Sequence, residues 1–408
     1  MRLLKQHAAS LLVAFCAVWY FETSILAPLH WLPITRDFVH YQHAGQAILN
    51  GTSPYANVAW FYPPLTAFLM VPFALTDYVT ARWIWFLLSQ AFLMIAAWLL
   101  WRALGRDRIA LCSLAIVWAF GGAGEESLEG GQIGPLLVLL LAAAYTEHSA
   151  RQGAALGIGF VLKYIPGVAA IALILNRSWR ALVVFASVAA AGVLLPLAVL
   201  MLFFPGPYGP LKPRYWMGTP HTHSWSIPSV TLRILDPPQG DGRLPHNWHH
   251  GNAVENLNLS PREELLSAGT AAAVLTAGIL ALVFACGGKL NREQVPLAMA
   301  GLISLSLAAA PVCWTHYQIL QYPGVALLLA DSIRRRTRLI ATCVALSFVM
   351  MYPVPHEVFT YYERHGGLAT ASPAALYVWT SMAPAACLAL YGLAVRRLQT
   401  DATGRAQS

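Results

Sequence analysis

The sequence predicts an all-α, polytopic membrane protein with about ten to twelve transmembrane or re-entrant helices. Hydrophobic residues make up 57% of the 408 residues and charged residues only 11%, whereas an ordinary soluble domain is roughly 25% charged. Long apolar runs recur along the chain with short polar segments between them, which is typical of a membrane protein with many helices. This composition excludes a disordered chain and argues against a soluble enzyme.

The apolar runs follow one another along almost the whole chain. They lie near residues 9–29, 63–75, 79–104, 109–121, 133–146, 152–175, 181–204, 267–287, 295–311, 317–330, 339–353 and 374–395. Several are shorter than the roughly 20 residues that cross a bilayer, and short helices are tolerated where they are buried or re-entrant. We expect one transmembrane domain at 1–400, followed by a short cytoplasmic tail at 401–408.

Basic loops predict the orientation of these helices. Loops rich in Lys and Arg favour the cytoplasmic side. We therefore expect a protein of the plasma membrane with both termini in the cytoplasm. The outward polar segments are then 30–62, 122–132, 205–266, 312–316 and 354–373. The net charge of +8 is explained by the excess of Lys and Arg in cytoplasmic loops, so no nucleic-acid partner is expected.

Two alternatives stay open in the N-terminal half. The run 63–75 dips into the membrane from outside if 9–29 and 79–104 are the true spans. The run 152–175 joins two basic loops. One interpretation is that it forms two half-helices broken at Lys163–Pro166, so that both loops lie on the cytoplasmic side. The other is that it crosses the membrane, and one of the two basic loops then lies outside, against the charge rule.

The first outward segment carries the residue with the best claim to chemistry. Residues 36–49 have helical spacing, and Asp37 stands at the start of this predicted juxtamembrane helix. A carboxylate at a helix N-terminus, beside Arg36, stays ionised and can act as a general base toward a hydroxyl. The alternative is that Asp37 only caps the helix.

Other polar groups have both a functional and a structural interpretation. Lys163 lies in an apolar run, where a charged residue is costly and often functional, but it can also snorkel to an interface. The histidines of the large outer segment lack an acidic or cysteine partner at zinc-like spacing, so loop or sugar contacts are favoured. The six cysteines lie in or beside apolar runs without a C-x-x-C pair, and no metal site or disulfide framework is predicted.

Several short motifs occur in a fixed order along the chain. The matching positions are Asp37, Tyr41, Gly51, Pro54, Tyr55, Tyr62, Pro63, Pro64, Gly131, Gln132, Gly153, Gly157, Lys163, Pro166, Pro311, Trp314, His316, Tyr317 and Pro323. Their order resembles glycosyltransferase family 87, multispanning enzymes of the GT-C class that include polyprenol-phosphate-mannose-dependent α-mannosyltransferases. The sequence departs from the family at Ser226-Ile-Pro-Ser229, where an Asn-x-Ser is often found.

The resemblance implies a membrane enzyme that transfers a sugar, with mannose favoured, from a polyprenyl-phosphate donor to a lipid-linked or envelope glycan acceptor on the outer face. It implies Asp37 as the catalytic base. The residues expected to bind donor or substrate are Arg36, Tyr41, Tyr55, Tyr62, Gln132, Lys163, Trp314 and His316. No cofactor is expected, although Glu125, Glu126 and Glu129 leave a divalent cation as an alternative.

A second function class stays open at this stage. A secondary transporter, or a flippase of envelope precursors, also has many helices. Transporters place ionisable residues near the midplane and often show paired repeats. Here most acidic residues gather in the outward segments and the two halves show no visible correspondence, which favours the enzyme.

Overall fold

The protein is helical throughout the part that the structure covers. The computed structural model describes residues 2–30, 32, 37–56, 60, 62–204, 206, 219–235, 259–365 and 372–406. In chain order the helices are α1 (Arg2–Tyr20), α2 (Ala27–Leu29), α3 (Phe38–Leu49), α4 (Pro64–Leu69), α5 (Val71–Ala74), α6 (Tyr78–Ala103), α7 (Arg108–Phe120), α8 (Ala123–Gly130), α9 (Gly134–Thr146), α10 (Ala150–Leu162), α11 (Ala170–Leu175), α12 (Trp179–Phe203), α13 (Ile227–Leu235), α14 (Pro261–Ala285), α15 (Val295–Ala309), α16 (Tyr322–Arg334), α17 (Arg338–Met351), α18 (Pro353–Arg364) and α19 (Pro373–Ala406).

The predicted fold class is confirmed. Six helical stretches in the described residues are long and apolar enough to cross a membrane, and the bent pair α7–α8 makes a seventh if it forms one span. The six are His7–Leu29, Tyr78–Ala103, Trp179–Phe203, Pro261–Ala285, Arg338–Tyr362 and Ala374–Thr400. The shorter helices lie among them, and α15 is buried at every residue except Pro296.

Some segments expected to be loops are helical. The segment 122–132 contains α8, the segment 205–266 contains α13 and the start of α14, and 354–373 contains most of α18. Helix α14 begins early because Ser260 and Glu263 form a capping box, which satisfies backbone N–H groups at the helix start. The predicted tail at 401–408 continues α19 through Ala406.

The run 152–175 is two half-helices, as one of the two sequence alternatives predicted. Helix α10 ends at Leu162, Lys163 is extended at φ −161° and ψ 123°, and a short turn at Ile165–Ala169 leads into α11. Pro166 has no N–H for the Leu162 carbonyl four residues earlier. The Thr66 hydroxyl donates to that carbonyl instead, over 3.2 Å.

Two glycines let α10 lie against α12. A Cβ atom at Gly153 would stand 2.0 Å from the Ala181 carbonyl oxygen, and one at Gly157 would stand 2.8 Å from Val188 Cβ. Small residues four positions apart allow close backbone approach between membrane helices. The Gly153-x-x-x-Gly157 motif therefore holds the α10–α11 hairpin in place.

The basic loops meet at one end of the bundle, which we call the basic end (residues 104–108, 146–151, 176–180, 289–294 and 331–338). Arg334 pairs with Asp107 over 2.9 Å, and its hydrogen bond lowers the pKa of that carboxyl. Asp331 pairs with Arg335 over 2.9 Å and with Arg397 over 2.8 Å. The pairs of Arg334 with Asp107 and of Arg397 with Asp331 join three parts of the chain that are distant in sequence.

Candidate active site

Asp37 does not use its side chain to cap its own helix. It occupies the N-cap position of α3, but its side chain makes no capping hydrogen bond, and the residue is exposed. Its Oδ2 accepts a hydrogen bond of 2.5 Å from the Gln132 side-chain amide. Oδ1 accepts none from a described residue. Gln132 therefore holds one of the two carboxylate oxygens.

Gln132 links Asp37 to two buried tyrosines. Its amide oxygen accepts hydrogen bonds from the Tyr41 hydroxyl over 2.9 Å and the Tyr62 hydroxyl over 3.1 Å. The Tyr55 hydroxyl donates to the Tyr62 carbonyl over 2.8 Å. Tyr55 therefore supports Tyr62 and is not itself hydrogen-bonded to Gln132. With its oxygen occupied by two donors, the Gln132 amide has to present its nitrogen to Asp37.

The turn before Gln132 requires glycine. Gly131 has φ 67°, a left-handed conformation that costs other residues energy. A Cβ atom there would stand 2.7 Å from Phe38 Cβ and 3.0 Å from Arg82 Cζ. The fully buried Arg82 donates to the carbonyls of Leu128 and Glu129 at the end of α8, which fixes the turn.

Lys163 lies at the tip of the α10–α11 hairpin, among the aromatic rings of this site. Its ammonium is 3.3 Å from the ring centroid of Tyr317 and 5.2 Å from that of Tyr62. The residue is 9% exposed, and it makes no hydrogen bond or ion pair to a described residue. The Asp37 carboxylate acts on it electrostatically. Cation–π contact stabilises a lysine in such a place but leaves its N–H donors available to an anion.

His316 lies beside a second polar group of the site. Its Nδ1 is 4.0 Å from Glu126 Oε1, which also accepts a hydrogen bond from the Thr315 hydroxyl. Burial, with Lys163 and His223 nearby, lowers the pKa of His316 well below its usual range. Its Nε2 has no hydrogen-bond partner among the described residues.

A cavity of about 350 Å³ opens next to Glu126. Eight residues line it: Glu125, Glu126, Glu129, His223, Trp225, Thr315, Tyr352 and His356. Burial, reinforced by His356, lowers the pKa of His223 to about 4, so this ring is neutral. Carboxylates, neutral imidazoles and an indole face are groups that bind sugar hydroxyls and sugar faces.

The segment 219–226 closes one wall of this cavity. The fully buried Arg233 donates to the carbonyls of His221 over 2.9 Å and Ser224 over 3.2 Å. Trp314 contacts His221 with ring centroids 5.3 Å apart and pairs with Ser224 through the backbone. The residues Ser226-Ile-Pro-Ser229, at which the sequence differs from the family motif, lead into α13. The hydroxyls of their two serines form a hydrogen bond of 3.0 Å.

The structure thus gathers most of the residues that the sequence analysis selected. Asp37, Tyr41, Tyr62 and Gln132 form one hydrogen-bonded group, and Lys163 lies over the Tyr62 ring. His316 is next to Tyr317, Trp314 supports the adjoining wall, and Arg36 lies outside the described residues. Within the described residues, no three His, Cys, Asp or Glu side chains converge as metal ligands.

Two residues of the site were missed by sequence reasoning. Tyr317 was noted only as part of a motif, yet its ring carries the closest contact to Lys163. Arg82 was not selected, although an arginine inside a long apolar helix is by itself a signal of a structural or functional role.

Comparison with known proteins adds to this geometry. The model of glycosyltransferase family 87 matches residues 60–233. The resemblance to glycosyltransferase family 87 is confirmed. The matched region contains Tyr62, Arg82, Gln132 and Lys163, and it ends at Arg233.

Two relatives of this family 87-like chain come from Mycobacterium tuberculosis. An alpha-(1->3)-arabinofuranosyltransferase is 28% identical over 184 residues, which cover 42% of this chain and 40% of the relative. A polyprenol-phosphate-mannose-dependent alpha-(1-2)-phosphatidylinositol mannoside mannosyltransferase is 23% identical over 416 residues, or 91% of this chain and 89% of the relative. The chain therefore aligns with less than half of the arabinofuranosyltransferase and with nearly all of the mannosyltransferase.

Proposed function

We propose that this protein is a membrane glycosyltransferase. It transfers a sugar, with mannose favoured, from a polyprenyl-phosphate donor to a hydroxyl of a lipid-linked or envelope glycan acceptor. The observation that carries the proposal is that a carboxylate, Asp37, and a buried ammonium, Lys163, belong to one aromatic site. A base and a cation are the two groups that this transfer needs.

Asp37 acts as the general base. Gln132 holds one oxygen of the carboxylate, and the other accepts the proton of the acceptor hydroxyl. The acceptor oxygen then forms a bond to the anomeric carbon of the donor sugar. The bond between that carbon and the phosphate oxygen breaks, and its electron pair leaves with polyprenyl phosphate.

Lys163 stabilises the departing phosphate. The leaving group gains negative charge as the bond breaks, and a fixed cation in a site of low polarity stabilises that charge strongly. The ammonium has no carboxylate partner among the described residues, so it does not have to exchange one ion pair for another.

The depth of the site fits a donor with a lipid tail. Helices α7, α9 and α16 each have 13 residues, or about 20 Å at 1.5 Å per residue, while the hydrocarbon core of a bilayer is about 30 Å thick. They run between the basic end and the site. With the basic end at one membrane surface, as its charge predicts, the site lies about 10 Å below the opposite surface. A phosphate attached to a lipid tail can reach this depth while its tail stays in the bilayer.

Mannose is favoured because of the share of this chain that aligns with each relative. The relative named for polyprenol-phosphate mannose aligns over 91% of this chain. The arabinofuranosyltransferase aligns over 42%, so an arabinofuranose donor is the second sugar to test.

The deciding experiment uses the purified full chain in detergent with polyprenyl-phosphate mannose or polyprenyl-phosphate arabinofuranose and a panel of glycan acceptors. Release of polyprenyl phosphate that depends on acceptor and on Asp37 supports the proposal. In proteoliposomes, movement of the intact donor across the bilayer without any release would show a flippase and would overturn it.

A further inference from the structure

A second cavity lies at the basic end, far from the candidate active site. It has a volume of about 500 Å³. Three parts of the chain form it: the loop before α10, the loop between α11 and α12, and the start of α15. Since α10 has 13 residues, about 20 Å separate this cavity from Lys163 at the other end of that helix.

The charge of the cavity is one-sided. Arg177, Arg180 and Arg292 line it, and no Asp or Glu is among its lining residues. None of the three arginine side chains forms a hydrogen bond or ion pair with a described residue. Burial lowers the pKa of His148 in the cavity wall, and Arg292 adds to this effect, while Glu147 acts in the opposite direction.

Arginines at the same end differ in their partners. Arg334 pairs with Asp107, and both Arg335 and Arg397 pair with Asp331. Two carboxylates lie close to the cavity along the chain: Glu147 pairs with Arg151 over 3.5 Å, and Glu293, which follows Arg292, lines the neighbouring cavity instead. What distinguishes Arg177, Arg180 and Arg292 is that they come from separate loops and line one cavity without a carboxylate among its lining residues.

Helix ends add to this field. Helices α10 and α12 begin at the cavity, and the residues before them, Ser149 and Ser178, make no side-chain capping bond. Helix α15 also begins there, but it continues the short turn Arg292–Gln294, which Asn291 caps. The first N–H groups of a helix have no partner within the helix and carry partial positive charge. The ends of α10 and α12 beside three arginines form an environment that favours an anion.

A buried amide supplies an acceptor in the same cavity. Gln152 is 4% exposed and lines the cavity. Its nitrogen donates to the Ala144 carbonyl over 2.8 Å, while its oxygen accepts no hydrogen bond from a described residue. A ligand that carries hydroxyl groups beside its phosphate would satisfy this oxygen.

The mouth of the cavity faces a surface suited to lipid. Trp179 lines it and is 61% exposed, and Val183, one turn further along α12, is 63% exposed. Tryptophan is enriched where membrane proteins meet the headgroup region. An anionic lipid headgroup that enters here can have its acyl chains lying along the exposed apolar face of α12.

We propose that this cavity binds the phosphate and headgroup hydroxyls of an anionic phospholipid in the leaflet at the basic end. The three arginines and the helix N-termini hold the phosphate, and Gln152 accepts from the headgroup. A bound lipid would join the α10–α11 hairpin to α12 and α15, and so stabilise the hairpin that carries Lys163.

The test measures the thermal unfolding of the purified full chain in a neutral detergent with three probes: dioctanoyl phosphatidylglycerol, dioctanoyl phosphatidylcholine and inorganic phosphate. Phosphatidylglycerol at saturation is expected to raise Tm by about 5 °C, and phosphatidylcholine by much less. The variant R177Q/R180Q/R292Q should lose most of this shift. The matched variant R106Q/R108Q/R338Q, which removes three charges elsewhere at the same end, should keep it.

Each result decides the question. An equal phosphatidylglycerol shift in both triple variants, or an equal shift with phosphatidylcholine, would overturn the proposal. A shift with inorganic phosphate as large as that with the lipid, lost in the cavity variant only, would keep the anion site and make its ligand soluble. The single variant Arg180→Gln should also show a smaller Tm shift with phosphatidylglycerol. It serves as the test if the triple variant expresses poorly.

Discussion

The side-chain amide of Gln132 lies 2.5 Å from the carboxylate of Asp37, although 95 positions separate the two residues. This contact bears on the two interpretations of Asp37 that the sequence left open. A capping aspartate turns its carboxylate toward the N–H groups of its own helix. The Asp37 side chain makes no capping hydrogen bond and contacts another segment of the chain instead.

Replacement of Asp37 by Asn should abolish most sugar transfer. The amide has nearly the same shape but cannot take the acceptor proton, and loss of a general base costs about 10²- to 10⁴-fold in rate. Asp77→Asn is the matched control, because Asp77 caps α6 through the Thr80 N–H over 3.0 Å and Asn caps equally well. Transfer by Asp37→Asn within a few-fold of the parent, at equal protein level, would contradict the role of base.

Replacement of Gln132 by Glu should change the pH dependence of turnover. A second carboxyl group against Asp37 makes one of the pair hold its proton to higher pH. The acid limb of the rate profile should therefore move to higher pH, while Gln132→Ala should lower the rate without that displacement. Identical pH profiles for both variants would show that Gln132 does not act through Asp37.

Replacement of Lys163 by Ala should lower turnover by about 10²- to 10³-fold, as does the loss of one group that stabilises transition-state charge. Lys163→Arg should recover little, because the planar guanidinium does not fit where a compact ammonium lies over the Tyr317 ring. Lys289→Ala, at the basic end, is the control and should transfer sugar normally. Donor turnover unchanged in Lys163→Ala would leave this lysine a purely structural role.

Replacement of Gly131 by Ala should destabilise the protein by about 1–3 kcal/mol, because its left-handed backbone and the 2.7 Å approach to Phe38 Cβ both oppose a side chain. Gly269→Ala is the control. A Cβ atom at Gly269 meets nothing within 4 Å, and Ala favours the helix over Gly by roughly 0.5–1 kcal/mol. The measurement is Tm in detergent, and an equal Tm for the two variants would rule out the steric argument.

Cysteine labelling should place the two ends of the bundle on opposite sides of the membrane. Single cysteines at Ser260 and Arg336, in a background without the native cysteines, should react with an impermeant thiol reagent from opposite sides. Ser260 is expected to react from outside intact cells, and Arg336 only after permeabilisation. Reaction of both from one side would refute the proposed orientation.

The sequence by itself determined the class of the fold and most members of the candidate site. Apolar runs and basic loops are local patterns, because each helix must bury or expose its own surface in the bilayer. The break at Lys163 follows from the missing N–H of Pro166, and the glycine at position 131 precedes a matched glutamine. These features depend on neighbours along the chain, so they can be predicted from short stretches of it.

Only the tertiary structure decided how these residues work together. The bond between Gln132 and Asp37, the Tyr317 ring against Lys163, and the buried Arg82 at the end of α8 join parts of the chain that lie 47 to 154 positions apart. The cavity of Arg177, Arg180 and Arg292 likewise arises where three helices begin side by side. Such contacts follow from the packing of whole helices against one another, and no local pattern of polar and apolar residues specifies which faces meet.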